Sequence, residues 1–161
     1  MIKNGSILVP TDFSDCAAEA FRRACVLAEK LEASIQVLHV LEPVLAYEPD
    51  EISLSPVRAL TRNMREVAQR KLAEIPESAP PKLNIETKIL ATNHPPHQAI
   101  CDFARDLPAD LIVMGRHGHR GAMEHLLIGS VAERVVRHAP CTVMVTRPHG
   151  ILQQGENNDQ N

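Results

Sequence analysis

Five short β-rich runs separated by four longer stretches of helical periodicity constrain this chain more than any other feature. Ser6–Val9 reads as a buried strand, and Asp12, Ser14 and Asp15 supply helix-start residues behind it. Ala17, Phe21, Ala24, Ala28 and Leu31 then recur at helical spacing, and Ile35–Val40 forms a second strand. Leu41–Leu54 carries two prolines and no period, so a loop is expected there. Ser55-Pro56 predicts a capped helix opening, with Val57, Leu60, Met64, Val67 and Leu72 as its inward stripe and Pro76 as its stop. Asn84–Leu90 is the third strand. Asn93-His94-Pro95-Pro96 starts a helix that turns Ile100, Phe103, Ala104 and Leu107 inward and ends at Pro108. Asp110–Met114 is apolar after its aspartate, as a strand covered on both faces must be. Ser130-x-x-Glu133 predicts a capping box opening a helix over Val131, Val135 and Ala139, and Cys141–Thr146 is the fifth strand.

Strands alternating with helices imply an α/β class: one doubly wound domain, a parallel sheet with helices on both faces, and right-handed crossovers. The domain is expected over residues 1–147, with 148–161 a polar, disordered tail. Ligands of such sheets lie beyond the carboxyl ends of the strands, where the strand order reverses. Two segments occupy that position, Pro10-Thr11-Asp12 and the glycine-containing stretch after the fourth strand.

Composition excludes several classes. The only rings are Phe13, Phe21, Tyr47 and Phe103, with no Trp, so there is no cluster on which to stack nucleic-acid bases. A net charge of −3 argues further against nonspecific binding to a phosphate backbone. The opening apolar run is too short for a signal peptide, and nothing approaches the ~20 apolar residues of a membrane span. Cys16, Cys25, Cys101 and Cys141 form no C-x-x-C pair and are expected as reduced, small hydrophobes in a cytoplasmic protein.

The stretch from Met114 reads M-G-R-H-G-H-R-G-A-M-E-H-L-L-I-G-S, with glycines at 115, 118, 121 and 129. Glycine lets backbone N–H groups approach an anion closely, and Gly129-Ser130 lies at a helix amino end that favours phosphate. Five Arg against two Glu between Leu111 and Arg147 give an otherwise acidic chain a local positive excess. The Walker signature G-x-x-x-x-G-K-[ST], the dinucleotide fingerprint G-x-G-x-x-G and the hydrolase elbow G-x-S-x-G are all missing. His117, His119 and His125, with His94 and His97, lack the acidic or thiolate companions of a metal site. His39 reads as a core or loop-adjacent residue, and no residue pattern nominates a catalytic group.

The motifs I-L-V-P-T-D-F-S (Ile7–Ser14), L-H-V-L-E-P (Leu38–Pro43), D-L-I-V-M-G (Asp110–Gly115), G-S-V-A-E-R-V (Gly129–Val135) and C-T-V-M-V-T (Cys141–Thr146) resemble the universal stress protein family along almost the whole chain. That resemblance implies a sheet of order 3-2-1-4-5. It places the chain with the members that bind ATP or AMP, whose signature is G-x2-G-x9-G-[ST]. Gly115, Gly118, Gly129 and Ser130 fit it, except that ten residues separate Gly118 from Gly129. By the same resemblance, Pro10, Thr11 and Asp12 line the nucleoside side, and Asp12 accepts from ribose or adenine while capping the first helix. Val40 offers backbone groups to the adenine, and Met114 and Gly115 flank the ribose. Gly118, Gly129, Ser130 and Val131 face the phosphates, with His117 and either Arg116 or Arg120 as further contacts. Mg²⁺ would accompany ATP. Ser130 is expected to serve the phosphate when ligand is bound and the helix cap when it is not.

The fifth strand is expected at a sheet edge, where an uncovered Thr142–Thr146 would invite pairing. The family's habit implies a homodimer through that strand, with Val143 and Val145 near the two-fold axis. The function implied is that of an adenine-nucleotide-binding regulator or sensor of stress. Two alternatives stand beside it: a slow ATP hydrolase or phosphotransferase using the same site, and a nucleotide-free dimeric interaction protein.

Overall fold

The computed structural model describes residues 4–42, 54–118 and 128–147, with side chains described from Leu60 in the second helix. Nine elements alternate: β1 (Ser6–Pro10), α1 (Asp15–Leu31), β2 (Ser34–Leu41), α2 (Leu54–Glu77), β3 (Ile85–Ala91), α3 (Pro96–Asp106), β4 (Leu111–Gly115), α4 (Ser130–His138) and β5 (Thr142–Thr146). The strands form one parallel sheet of order β3-β2-β1-β4-β5, the order the family resemblance implied. The expected tail and most of the expected 41–54 loop lie outside the described residues.

Alternation along each strand divides the core between the two faces. Ile7, Val9, Ile35, Val37, Leu111 and Val113 pack under α1 and α2, whereas Leu8, Leu38, Ile112 and Met114 pack under α3 and α4. With so few rings, close approach does the work of bulk. Ala17, Ala20, Ala24 and Ala28 form the buried stripe of α1, letting its backbone lie near the sheet.

α2 departs from expectation in three ways. It begins at Leu54, before Ser55-Pro56, and it runs through Pro76 to Glu77. The helix closes on tightened bonds, Ser78 N–H to Ile75 O at 3.2 Å and Ala79 N–H to Pro76 O at 3.1 Å. Its inward stripe is also different. Ala68 and Leu72 are buried and Ile75 packs against the core, while Leu60, Met64 and Val67 are 48, 40 and 42% exposed. Only the carboxyl-terminal half of α2 lies over the β2–β3 side of the sheet, so the apolar period continues past the surface that could bury it. The side chain of Val57 lies outside the described residues.

The order reversal falls between β1 and β4, and their ladder is short. Only Ile7 with Leu111 and Leu8 with Ile112 are paired. Past Leu8 the two strands part, with α1 on one face and α4 on the other. This opens a crevice at their carboxyl ends.

Candidate functional site

A cleft of about 750 Å³ occupies that crevice. Every described residue singled out from the sequence for the nucleotide lines it. Pro10, Thr11 and Asp12 come from the turn after β1, and Val40 from the end of β2. Met114 and Gly115 close β4, with Arg116, His117 and Gly118 following them. Gly129, Ser130 and Val131 form the amino end of α4. Arg120 lies outside the described residues, as do His119 and His125.

The turn after β1 is held from several directions. Thr11 N–H donates to Leu38 O at 2.8 Å, and Phe13 N–H donates to Thr11 Oγ1 at 3.0 Å. Asp12 does not cap α1 directly. Its Oδ1 accepts from Ser14 N–H at 3.1 Å and from the Ser14 hydroxyl at 2.6 Å, and Ser14 is the capping residue, accepting from Ala17 N–H at 3.3 Å. Ser14 sits in extended backbone, one residue before the helix, where a hydroxyl reaches the first-turn donors. Asp12 thus orients the cap with one oxygen, while its other oxygen faces Gly118.

Across the cleft, Arg116 N–H donates to Thr146 O at 2.7 Å and its carbonyl accepts from Gly129 N–H at 2.8 Å, tying the end of β4 to both β5 and α4. That second bond fixes Gly129, not Ser130, as the extended residue preceding α4. The expected capping box is therefore absent. Glu133 pairs with Arg137 at 2.7 Å instead of reaching back, and Ser130 is the first helical residue, with no capping bond for its hydroxyl to make. The first intrahelical N–H bond of α4 is Glu133 to Gly129 O, so the Ser130, Val131 and Ala132 donors have no partner within the helix.

The glycines matter here for close approach. A Cβ on Gly115 would lie 2.8 Å from the Cys16 carbonyl carbon, one on Gly118 would lie 2.4 Å from Asp12 Oδ2, and one on Gly129 would lie 3.0 Å from Arg116 O. Gly115 therefore seats the first turn of α1 against β4. Gly118 admits the Asp12 carboxylate, and the longer spacing to Gly129 leaves that contact in place.

Two histidines in the cleft have their pKa values lowered. Burial lowers the pKa of His117, and the Arg116 guanidinium beside it lowers it further. Arg116 Nε–H donates to His117 Nε2 at 2.7 Å, so Nε2 is unprotonated and Nδ1 carries the hydrogen. His97 is lowered first by burial, then by Arg134 and His138. Among the described residues, the guanidiniums of Arg116 and Arg134 are the fixed cations lining the cleft.

Sequence reasoning missed His97, Arg134, Met64 and the Pro95-Pro96 wall, all of which line the same cleft. Two signals were available. Pro95-Pro96 opens a helix at the same end of the sheet, and Arg134 lies one helical turn beyond Ser130. Among the described residues no group of three or more His, Cys, Asp or Glu is placed to hold a metal ion.

The model of the universal stress protein family matches residues 3–147. The chain belongs to the universal stress protein family. A universal stress protein of Methanocaldococcus jannaschii is 33% identical over 154 residues, covering 91% of this chain and 87% of that relative. The structure of universal stress protein UspA from Lactobacillus plantarum is 30% identical with a TM-score of 0.69, covering 90% of this chain and 99% of that one. A universal stress protein from Archaeoglobus fulgidus, solved in complex with dAMP, shares the fold at 24% identity and a TM-score of 0.59, covering 91% of this chain and all of that one.

Proposed function

We propose that the cleft binds an adenine mononucleotide, AMP or ATP, and that occupancy is the signal this universal stress protein passes on as a regulator or sensor. The observation that carries this reading is the convergence of the Asp12 turn and the amino end of α4, whose first-turn N–H groups have no partner within the helix, on one crevice that Arg116 and Arg134 also line. A carboxylate on one side suits ribose hydroxyls, and a helix amino end on the other suits phosphate. Between them, Val40 and Met114 provide aliphatic walls, so the adenine is held without a stacking ring. The dAMP complex of the Archaeoglobus fulgidus protein supports an adenylate in a fold of this kind, and the ligand assignment here rests on the cleft's own residues.

Mg²⁺ enters, on this reading, with the phosphates of ATP. Any hydrolysis of ATP is then slow, since the cleft holds no lysine to grip a γ-phosphate among its described lining residues. On this reading the protein acts in the cytoplasm; among the described residues no helix is long and apolar enough to cross a membrane. β5 ends the sheet with its outer edge unpaired, which supports a homodimer through Thr142–Thr146 with Val143 and Val145 near the axis.

The test is to denature the purified protein, identify released nucleotide, and follow added ATP for hours with and without Mg²⁺. Recovered AMP or ATP without turnover supports a binding protein. ATP loss proportional to protein, abolished by Ser130→Ala, would make it an enzyme. No released nucleotide and no thermal shift at millimolar AMP or ATP would make it a nucleotide-free interaction protein.

A further inference from the structure

Phe13 follows Asp12 directly and has φ = 65°, a left-handed conformation that a bulky side chain avoids. Such a residue persists only where its surroundings hold it. The Phe13 ring lies 4.5 Å, centroid to centroid, from the imidazole of His39 on β2. The Lys71 ammonium of α2 stands 5.2 Å from the same ring centroid, within cation–π range. His39 Nδ1 also lies 2.9 Å from the carbonyl oxygen of Thr11. A carbonyl has no hydrogen to give, so Nδ1 is the donor.

We propose that His39 is a positioning residue for the nucleoside-side turn. Its Nδ1–H clamps the Thr11 carbonyl while its ring, together with Lys71, holds Phe13 in the left-handed region. Between those two fixed residues the chain has one way to present Asp12, with one carboxylate oxygen on Ser14 and the other against Gly118. The residues packing on the far side of β2 from Leu38 thereby set the geometry of a carboxylate in the cleft. This inference rests on the nucleotide reading of the cleft only for its effect on affinity, since the geometry of the turn is measurable without ligand.

His39→Phe keeps an aromatic ring beside Phe13 and removes the donor. His39→Asn restores a donor bonded to Cγ, where Nδ1 stood. In ligand-free protein, His39→Phe is expected to shift or broaden the amide resonances of Thr11–Ser14 and Gly118, and His39→Asn to return them toward wild type. AMP affinity should fall about three- to tenfold in His39→Phe, the size of one hydrogen bond, and recover in His39→Asn. A long-range ¹⁵N correlation spectrum of the wild type should show the hydrogen on Nδ1. An Nε2–H tautomer, or His39→Phe resonances and affinity equal to wild type, overturns the proposal. If wild-type protein binds no AMP, the nucleotide reading fails separately, and the amide resonances alone decide the role of His39.

Discussion

Gly115, the last residue of β4, and Gly118, in the loop that follows, sit three residues apart, yet the structure gives them different duties that substitution by alanine should separate. At Gly115 a Cβ would meet the Cys16 carbonyl carbon and Cβ at 2.8 Å and its oxygen at 2.9 Å. Those atoms are in the first turn of α1, most of them backbone, and can yield only by lifting the helix from β4. Overpacking of this kind costs about 1–3 kcal/mol, and the rigid neighbours place Gly115→Ala toward the upper end. For a domain of this size that lowers Tm by roughly 3–10 °C. At Gly118 the added Cβ would meet the tip of the Asp12 side chain at 2.4 Å. A carboxylate tip can turn where the α1 backbone cannot move, and the cost to stability is the weakening of its bonds to Ser14, about 0.5–1.5 kcal/mol. Rotation removes Asp12 from its place in the cleft, and a hydrogen bond to a charged group is worth about 1.5–3 kcal/mol, or roughly ten- to a hundredfold in AMP affinity. Urea unfolding and calorimetric AMP titration on both variants read the two effects. Equal destabilisation by the two alanines, or AMP affinity unchanged in Gly118→Ala, would refute this division of roles.

Acid stability offers a second check. His97 and His117 have pKa values lowered in the folded state, so below the unfolded value near 6.5 the unfolded chain takes up protons first. Stability should therefore fall as pH drops from 7 toward the folded pKa values, and the double variant His97→Gln/His117→Gln should flatten that fall in urea midpoints. On α2, Leu72→Ala should cost about 2–5 kcal/mol because Leu72 is 3% exposed, whereas Val67→Ala, at 42% exposure, should stay within about 0.5 kcal/mol. Light scattering at micromolar concentration should give twice the 17.8 kDa chain mass, and a monomer mass would remove the β5 pairing.

The runs of β1, β2 and β4 were legible because buried parallel strands have few polar residues, and the ends of all five strands shifted by about one residue at most. The order of the sheet was not in the periodicity; it came with the family motifs. Ser130 was misplaced because Ser-x-x-Glu is a local pattern, while the residue that precedes α4 is chosen by a bond between Gly129 and Arg116 across the loop. The α2 stripe misled for a related reason. A helical period states which residues share a face, not how far the sheet extends beneath it. His97 and Arg134 escaped although Pro95-Pro96 and the Ser130–Arg134 spacing pointed toward them, because which face of each helix turns to the cleft depends on how α3 and α4 sit together.

Nucleotide binding in this cleft is tested most directly by titrating AMP, then ATP, into ¹⁵N-labelled protein and mapping the amide shifts. Saturable changes at Thr11, Asp12, Val40, Gly115, Gly118 and Ser130–Ala132, reaching an endpoint at one nucleotide per chain, are expected. Unchanged spectra at millimolar nucleotide, or shifts confined to residues outside the β1–β4 crevice, would contradict it.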